Sequence, residues 1–377
     1  MFVRALLLGA GVAVAVAAAA FAHVIGESSE DHPAYHQEAV PPILRPAAQS
    51  AVGRAPSAAE LLRLAVALLE PGSLRPPLAP PAGVMMAQTA EAPVLAARIR
   101  ASFAPFAPEV RTRADDRFFY VESNGMPNHS MMVGITAWQQ QVPIPQPYVG
   151  VNAWRFPLVP VPTDAPLSAR EHFFRGAIAI AADGVPIFNP IKNDGRTDTF
   201  LAGELDHFGG HAGRADDYHY HVAPVFLQEL LGPSLPIAFA LDGYPILGYR
   251  EPDGTVPTDL DAFNGHTGVD GAYHYHATPT YPYLNGGFHG TVVERDGEVD
   301  PQPVARGVRE ATNPLRGAVV VGFTKLSADA YSLRYQIGPA VYTVNYSVDG
   351  NRNARFEFID PAGRSRVEEY AAVRGRR

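Results

Sequence analysis

The sequence contains no cysteine, which excludes disulfide bonds and thiolate metal sites. Charge is scarce as well. Only 18 % of residues are charged and the formal net charge is −8, so no basic footprint for nucleic acid is present. Beyond the N-terminal segment no apolar run approaches the length of a membrane span. No Ser-His-Asp or P-loop signature points to familiar hydrolase or nucleotide chemistry. What is abundant is proline (36) and glycine (34), a composition suited to short strands and turns more than to helical bundles.

Residues 1–22 read as a signal peptide, with Arg4 in the basic region, Ala5 to Ala20 as the apolar stretch and Ala20-Phe21-Ala22 as the cleavage site. The expectation is a secreted or periplasmic protein without a membrane span after cleavage near Ala22. Cleavage there would leave His23 at the N-terminus, where amine and ring together can chelate copper; cleavage after Ala20 would not. Residues 23–56 read as a flexible leader and 57–110 as a helical appendage and linker. In that appendage Ser57 and Glu60 form a capping box before Leu61, Leu64 and Leu68, Pro71-Gly72 stops the helix, and 91–101 reads as a second short one. Arg117–Glu122 and Met131–Ala137 read as strands, and the proline-rich stretch from Pro143 to Pro166 as a wandering loop or edge. Toward the end, Ala318–Phe323, Tyr331–Ile337, Ala340–Val348 and Ala354–Ile359 read as strands. Residues 315–377 are thus expected to form a small β domain or a sheet extension.

The centre of the chain, 111–292, is organised around a duplication. Leu205-Asp206 and Gly210-His211, then His219-Tyr220-His221, recur 55 residues later as Leu260-Asp261, Gly265-His266 and His274-Tyr275-His276. Tyr218 and Tyr273 precede the motif, so both copies spell Tyr-His-Tyr-His. Upstream, Asp183-Gly184-Val185-Pro186-Ile187 matches Asp242-Gly243-Tyr244-Pro245-Ile246 at an offset of 59. The repeats cover 177–224 and 236–279 and predict a pseudo-twofold domain. Each is expected to contain a hairpin turning at Asp-Gly, a polar loop and a Tyr-His-Tyr-His strand, giving two three-stranded units.

Residues i and i+2 of a strand share a face. His219 and His221 therefore point one way and Tyr218 and Tyr220 the other, and likewise in the second copy. His211 and His266 are expected to return on glycine-flanked loops as third ligands. Three neutral imidazoles suit zinc or copper and leave a coordination position open. Asp206, Asp217, Asp261 and Asp270 are candidates to orient the rings, and His129 and His289 are candidate additional ligands. Ordinary core packing would not require imidazole at matched positions twice. The tyrosines read as core residues with bonded hydroxyls. Two independent sites and one shared or dinuclear site both satisfy the pattern.

These elements, with Asn124-Gly125-Met126-Pro127-Asn128-His129 and Tyr281-Pro282-Tyr283, resemble the YHYH domain family of bacterial secreted proteins. Members often carry a cysteine in the Leu-Asp-x-x-x-Gly-His segments, and none stands here. The resemblance implies a secreted domain with a conspicuous His/Tyr motif and no settled activity. The expected fold is mainly β (α+β), with a short N-terminal helical segment and a C-terminal antiparallel extension. Three functions fit this reading. The first is binding or handling of a transition metal, with Met131-Met132 after His129 slightly favouring copper over zinc. The second is a metal-dependent hydrolase or oxidase using an open site of three histidines. The third is a metal-free module whose Tyr281, Tyr283 and Phe288 hold a small molecule or glycan over a structural His/Tyr ladder. Whether the chain is an enzyme, and its oligomeric state, are not legible.

Overall fold

The computed structural model describes residues 88–372. The expected signal peptide, the leader, the helix after Ser57 and the final Arg374–Arg377 lie outside the described residues. Helix α1 (Gln88–Phe103) begins earlier than the 91–101 expected. It leads into a three-stranded sheet of β1 (Arg111–Ala114), β2 (Phe118–Glu122) and β3 (Trp154–Pro157), in the order β1-β2-β3. β4 (Pro162–Ser168) pairs later with β13 (Gly287–Gly290). The proline-rich stretch thus contains two strands, both on ladders where few amide donors are needed.

Met131–Ala137 is not a strand. Met132 and Gly134 have φ of 69° and 102°, incompatible with an extended run. Their amides bond elsewhere: Met132 N–H to Asp206 Oδ2 (2.6 Å) and Gly134 N–H to the Val320 carbonyl (2.9 Å).

The duplication forms one eight-stranded sheet. The first repeat supplies β5 (Ala177–Ala181), β6 (Pro186–Phe188), β7 (Gly210–Ala212) and β8 (Tyr218–Tyr220). After the short helix α2 (Leu227–Leu231), the second supplies β9 (Ala238–Ala240), β10 (Pro245–Leu247), β11 (Gly265–Thr267) and β12 (Tyr273–His276). The order is β11-β12-β10-β9-β5-β6-β8-β7. The two copies meet at the antiparallel β5–β9 pair, with Ile180 opposite Phe239. Each hairpin then joins its Tyr-His-Tyr-His strand in parallel, and that strand pairs antiparallel with the Gly-His strand. The units are therefore four-stranded. The Gly-His segments, expected as loops, are the two outer strands.

β5 is fully buried, as suits a strand covered on both faces. On one side Phe103, Phe119, Phe156 and Phe239 stack at centroid spacings of 5.2–5.7 Å. That cluster ties α1 and the first sheet to the central one.

β14 (Glu294–Arg295) and β15 (Glu298–Val299) form a small hairpin. Then β16 (Ala318–Lys325), β17 (Ala330–Ile337), β18 (Ala340–Val348), β19 (Ala354–Ile359) and β20 (Ser365–Tyr370) form a separate antiparallel meander. It contacts the preceding chain through Tyr346 Oη to the Pro143 carbonyl (2.7 Å) and through a Val320–Ile135 backbone bond. Among the described residues no helix is long and apolar enough to cross a membrane.

Candidate metal centres

In an antiparallel pair, residues directly opposite share a face. The register sets His211 opposite His219 and His266 opposite His274. His221 and His276, two residues further along their chains, join the same face. Each outer strand thereby completes a triad. The Nε2 atoms of His219 and His221 lie 3.1 Å apart, as do those of His221 and His211. In the second copy the separations are 3.1 Å for His266–His274 and 3.0 Å for His274–His276. A tetrahedral ion with ligands at about 2.0–2.1 Å sets its donors roughly 3.3–3.4 Å apart, close to what both triads present.

The far nitrogens decide what the near ones carry. Nδ1 of His219 donates to the Asp217 carbonyl (3.0 Å) and that of His221 to the Asn189 carbonyl (2.6 Å). Nδ1 of His274 and His276 donate to the carbonyls of Ala272 (3.3 Å) and Gly248 (2.9 Å). His211 bonds the Glu204 backbone and His266 Nδ1 the Asp259 carboxylate (2.9 Å). A carbonyl only accepts, so Nδ1 keeps the proton and Nε2 of the neutral ring is a bare lone pair. Three lone pairs then converge on one point. Filling it with protons would require buried imidazolium. Burial, with the neighbouring rings and Lys192 adding to it, holds His211 and His221 well below the ordinary histidine range, and burial lowers His276 too.

The second triad has a fourth donor. Glu251, in the loop after β10, brings Oε1 to 2.6 Å from His266 Nε2 and 3.3 Å from His276 Nε2, and Oε2 to 3.4 Å from His274 Nε2. Glu251 with the second triad, and the first triad alone, are two groups whose ligand atoms all lie within 4.8 Å of one another. Glu251 was not among the ligands expected from the sequence. Five strand spacings separate β8 from β12, roughly 24 Å at about 4.8 Å each. The triads are therefore separate centres, and a shared dinuclear site is excluded by the sheet order.

The structure does not bring His129 or His289 to either triad, because both sit on the tyrosine face. His129 Nε2 contacts Tyr220 Oη (2.8 Å) and its ring stacks on Phe208, while His289 stacks on Tyr273. Of the four aspartates expected to orient rings, only Asp217 contacts one, through its carbonyl and through Oδ2 at 3.4 Å from His219 Nδ1. Asp206 and Asp261 instead accept the hydroxyls of Tyr218 (2.8 Å) and Tyr273 (2.7 Å), and Asp270 accepts the Ala272 amide. The aspartates of the two hairpin turns do the same work, Asp183 for Tyr220 (2.7 Å) and Asp242 for Tyr275 (2.6 Å). Every motif tyrosine thus anchors one aspartate behind the triads. Tyr283 and Phe288 are buried and present no aromatic surface to a glycan.

Burial raises the carboxyls of Asp183, Asp206 and Asp242 to about 6, against the tyrosine hydrogen bonds that pull them down. A folded value above the unfolded one means that ionisation costs the native state. The cost is absent below about pH 4 and complete above about pH 6. The Asp183→Asn variant, neutral at every pH, is therefore expected to gain on the wild type by up to about 3 kcal/mol as pH rises through that window. Denaturant unfolding of both proteins at about pH 4 and pH 7.5 measures this, and a constant gap would rule it out.

Residues 153–257 match the family model of the YHYH protein. The match includes the first triad and Glu251 and ends before the second triad. No curated protein and no solved structure matches the chain.

Proposed function

We propose that this chain, with a YHYH-family segment at its centre, is an exported metal-binding protein that holds one transition-metal ion at each histidine triad. The observation that carries the reading is the convergence of three imidazoles, twice, with two of the Nε2 separations in each triad at 3.0–3.1 Å and the Nδ1 atoms of His219, His221, His266, His274 and His276 on acceptors. A hydrogen-bonded ladder without metal would orient those rings toward donors. Zinc fits the second centre best, since three imidazoles and one carboxylate make a four-coordinate nitrogen–oxygen shell. Met131 and Met132 lend copper no support: both are buried, and Met132 Sδ receives the Ala212 amide (3.2 Å). Export rests on the N-terminal segment of the sequence.

A metal-dependent hydrolase or oxidase remains the second reading, and it is the first triad that favours it. His211, His219 and His221 line a cavity of about 670 Å³, and among the described residues no carboxylate joins their group.

The test is elemental analysis of the chain purified without affinity-tag metal. Two ions per chain are expected, one in His211→Ala, one in His266→Ala and none in His219→Ala/His274→Ala. No ion in the purified chain, and none taken up on titration, would sink the reading.

A further inference from the structure

The two centres differ at one matched position. The 59-residue offset still holds at Asn189 and Gly248, whose carbonyls take the Nδ1 protons of His221 and His276. Three residues later it pairs Lys192 with Glu251. The second centre therefore receives a carboxylate where the first has an ammonium. Lys192 Nζ is held by Glu204 Oε1 (2.7 Å) and Oε2 (3.0 Å), and both residues line the cavity onto which the first triad opens. Lys192, Glu204 and the three histidines of the first triad line one cavity.

The electrostatics follow from composition. A divalent ion on three neutral imidazoles and one carboxylate leaves a net charge of +1. On three imidazoles alone it leaves +2, the paired Lys192 and Glu204 of the same cavity adding no net charge, and a bound cation is the dominant charge of such a site. Tetrahedral coordination also leaves one position around that ion to a molecule from outside. An ammonium has three protons to donate, so a Lys192 held by Glu204 can still serve an incoming oxygen.

We infer that the first triad, once it holds its ion, binds an external small carboxylate in the coordination position that Glu251 fills in the second, with Lys192 donating to that carboxylate. This rests on the metal reading above. The second centre is closed by Glu251 and the first is open to an external ligand.

Cobalt(II) reports the difference, because its visible absorption changes with the ligands it holds. In His266→Ala, where only the first centre loads, millimolar acetate is expected to change the cobalt spectrum saturably. In His211→Ala, where only the second loads, it is expected to leave the spectrum unchanged. Lys192→Met in the His266→Ala background is expected to keep its cobalt and weaken acetate about tenfold, and Lys192→Arg to keep most of the affinity. Cobalt bound at the first centre with a spectrum indifferent to acetate would overturn the inference and leave the metal reading standing, as would an equal response at both centres. No cobalt uptake in either variant would overturn both together.

Discussion

Stripping metal from the full chain with a chelator is expected to lower its unfolding temperature by about 10 °C. An ion at a thousand times its dissociation constant contributes about 4 kcal/mol to the native state. Each kcal/mol moves the midpoint by roughly 2–4 °C in a domain of this scale. The gain should be unevenly divided. The second centre offers four donors and an anionic charge, whereas the first offers three neutral donors beside Lys192. His266→Ala is therefore expected to lose most of the chelator-sensitive stability, and His211→Ala little of it. Calorimetry with and without chelator on the three proteins checks this, and a wild-type midpoint indifferent to chelator would refute it.

The second large effect is expected from a methyl group. Gly210 lies in β7 beneath the Tyr218 side chain, which crosses it to reach Asp206. A Cβ there would sit 2.5 Å from Tyr218 Oη, 2.6 Å from its Cζ and 2.8 Å from the His219 carbonyl oxygen. The ring is held at both ends and the carbonyl is backbone, so neither can yield cheaply. Gly210→Ala is expected to cost about 3 kcal/mol or more. By pushing β7 from β8 it should also abolish metal at the first centre while leaving the second loaded. Gly265 has the same relation to the Tyr273 hydroxyl. Gly350, with open space around it, is the control, and Gly350→Ala should fall within about 0.5 kcal/mol of wild type. Denaturant unfolding together with metal content separates these outcomes. A Gly210→Ala protein of wild-type stability carrying two ions would show that the close approach is not needed.

The triads were legible in the sequence because their spacing is a strand rule applied twice. His219 and His221 must share a face, and a duplicate at a fixed offset seldom preserves three histidines without use for them. The strands that complete them were not legible. Gly210–Ala212 and Gly265–Thr267 are three residues each, too short for any period to register, and they form because the partner strand is already in place. Glu251 was hidden by the second offset: aligned at 55 it has no counterpart, and only at 59 does it stand against Lys192. The strand expected over Met131–Ala137 failed because its amides are taken by Asp206 and Val320. Four strands of the C-terminal meander were readable from alternation. The fifth, Ser365–Tyr370, is half charged and mostly exposed, which conceals an outermost strand and also suits one.

The outermost positions of the central sheet carry a consequence of their own. β7 and β11 each bring a single histidine to a triad and just three residues to the ladder, and among the described residues the sheet has no further strand beyond them. An ion held as proposed would be a rivet at either margin. With it drawn out, the margins would fray more readily and expose the backbone donors and acceptors of β8 and β12, which read Tyr-His-Tyr and Tyr-His-Tyr-His. Bare margins of that kind are templates for pairing with another chain. If the triads hold metal as proposed, its supply would in this way govern how readily the two margins of the sheet pair with another chain.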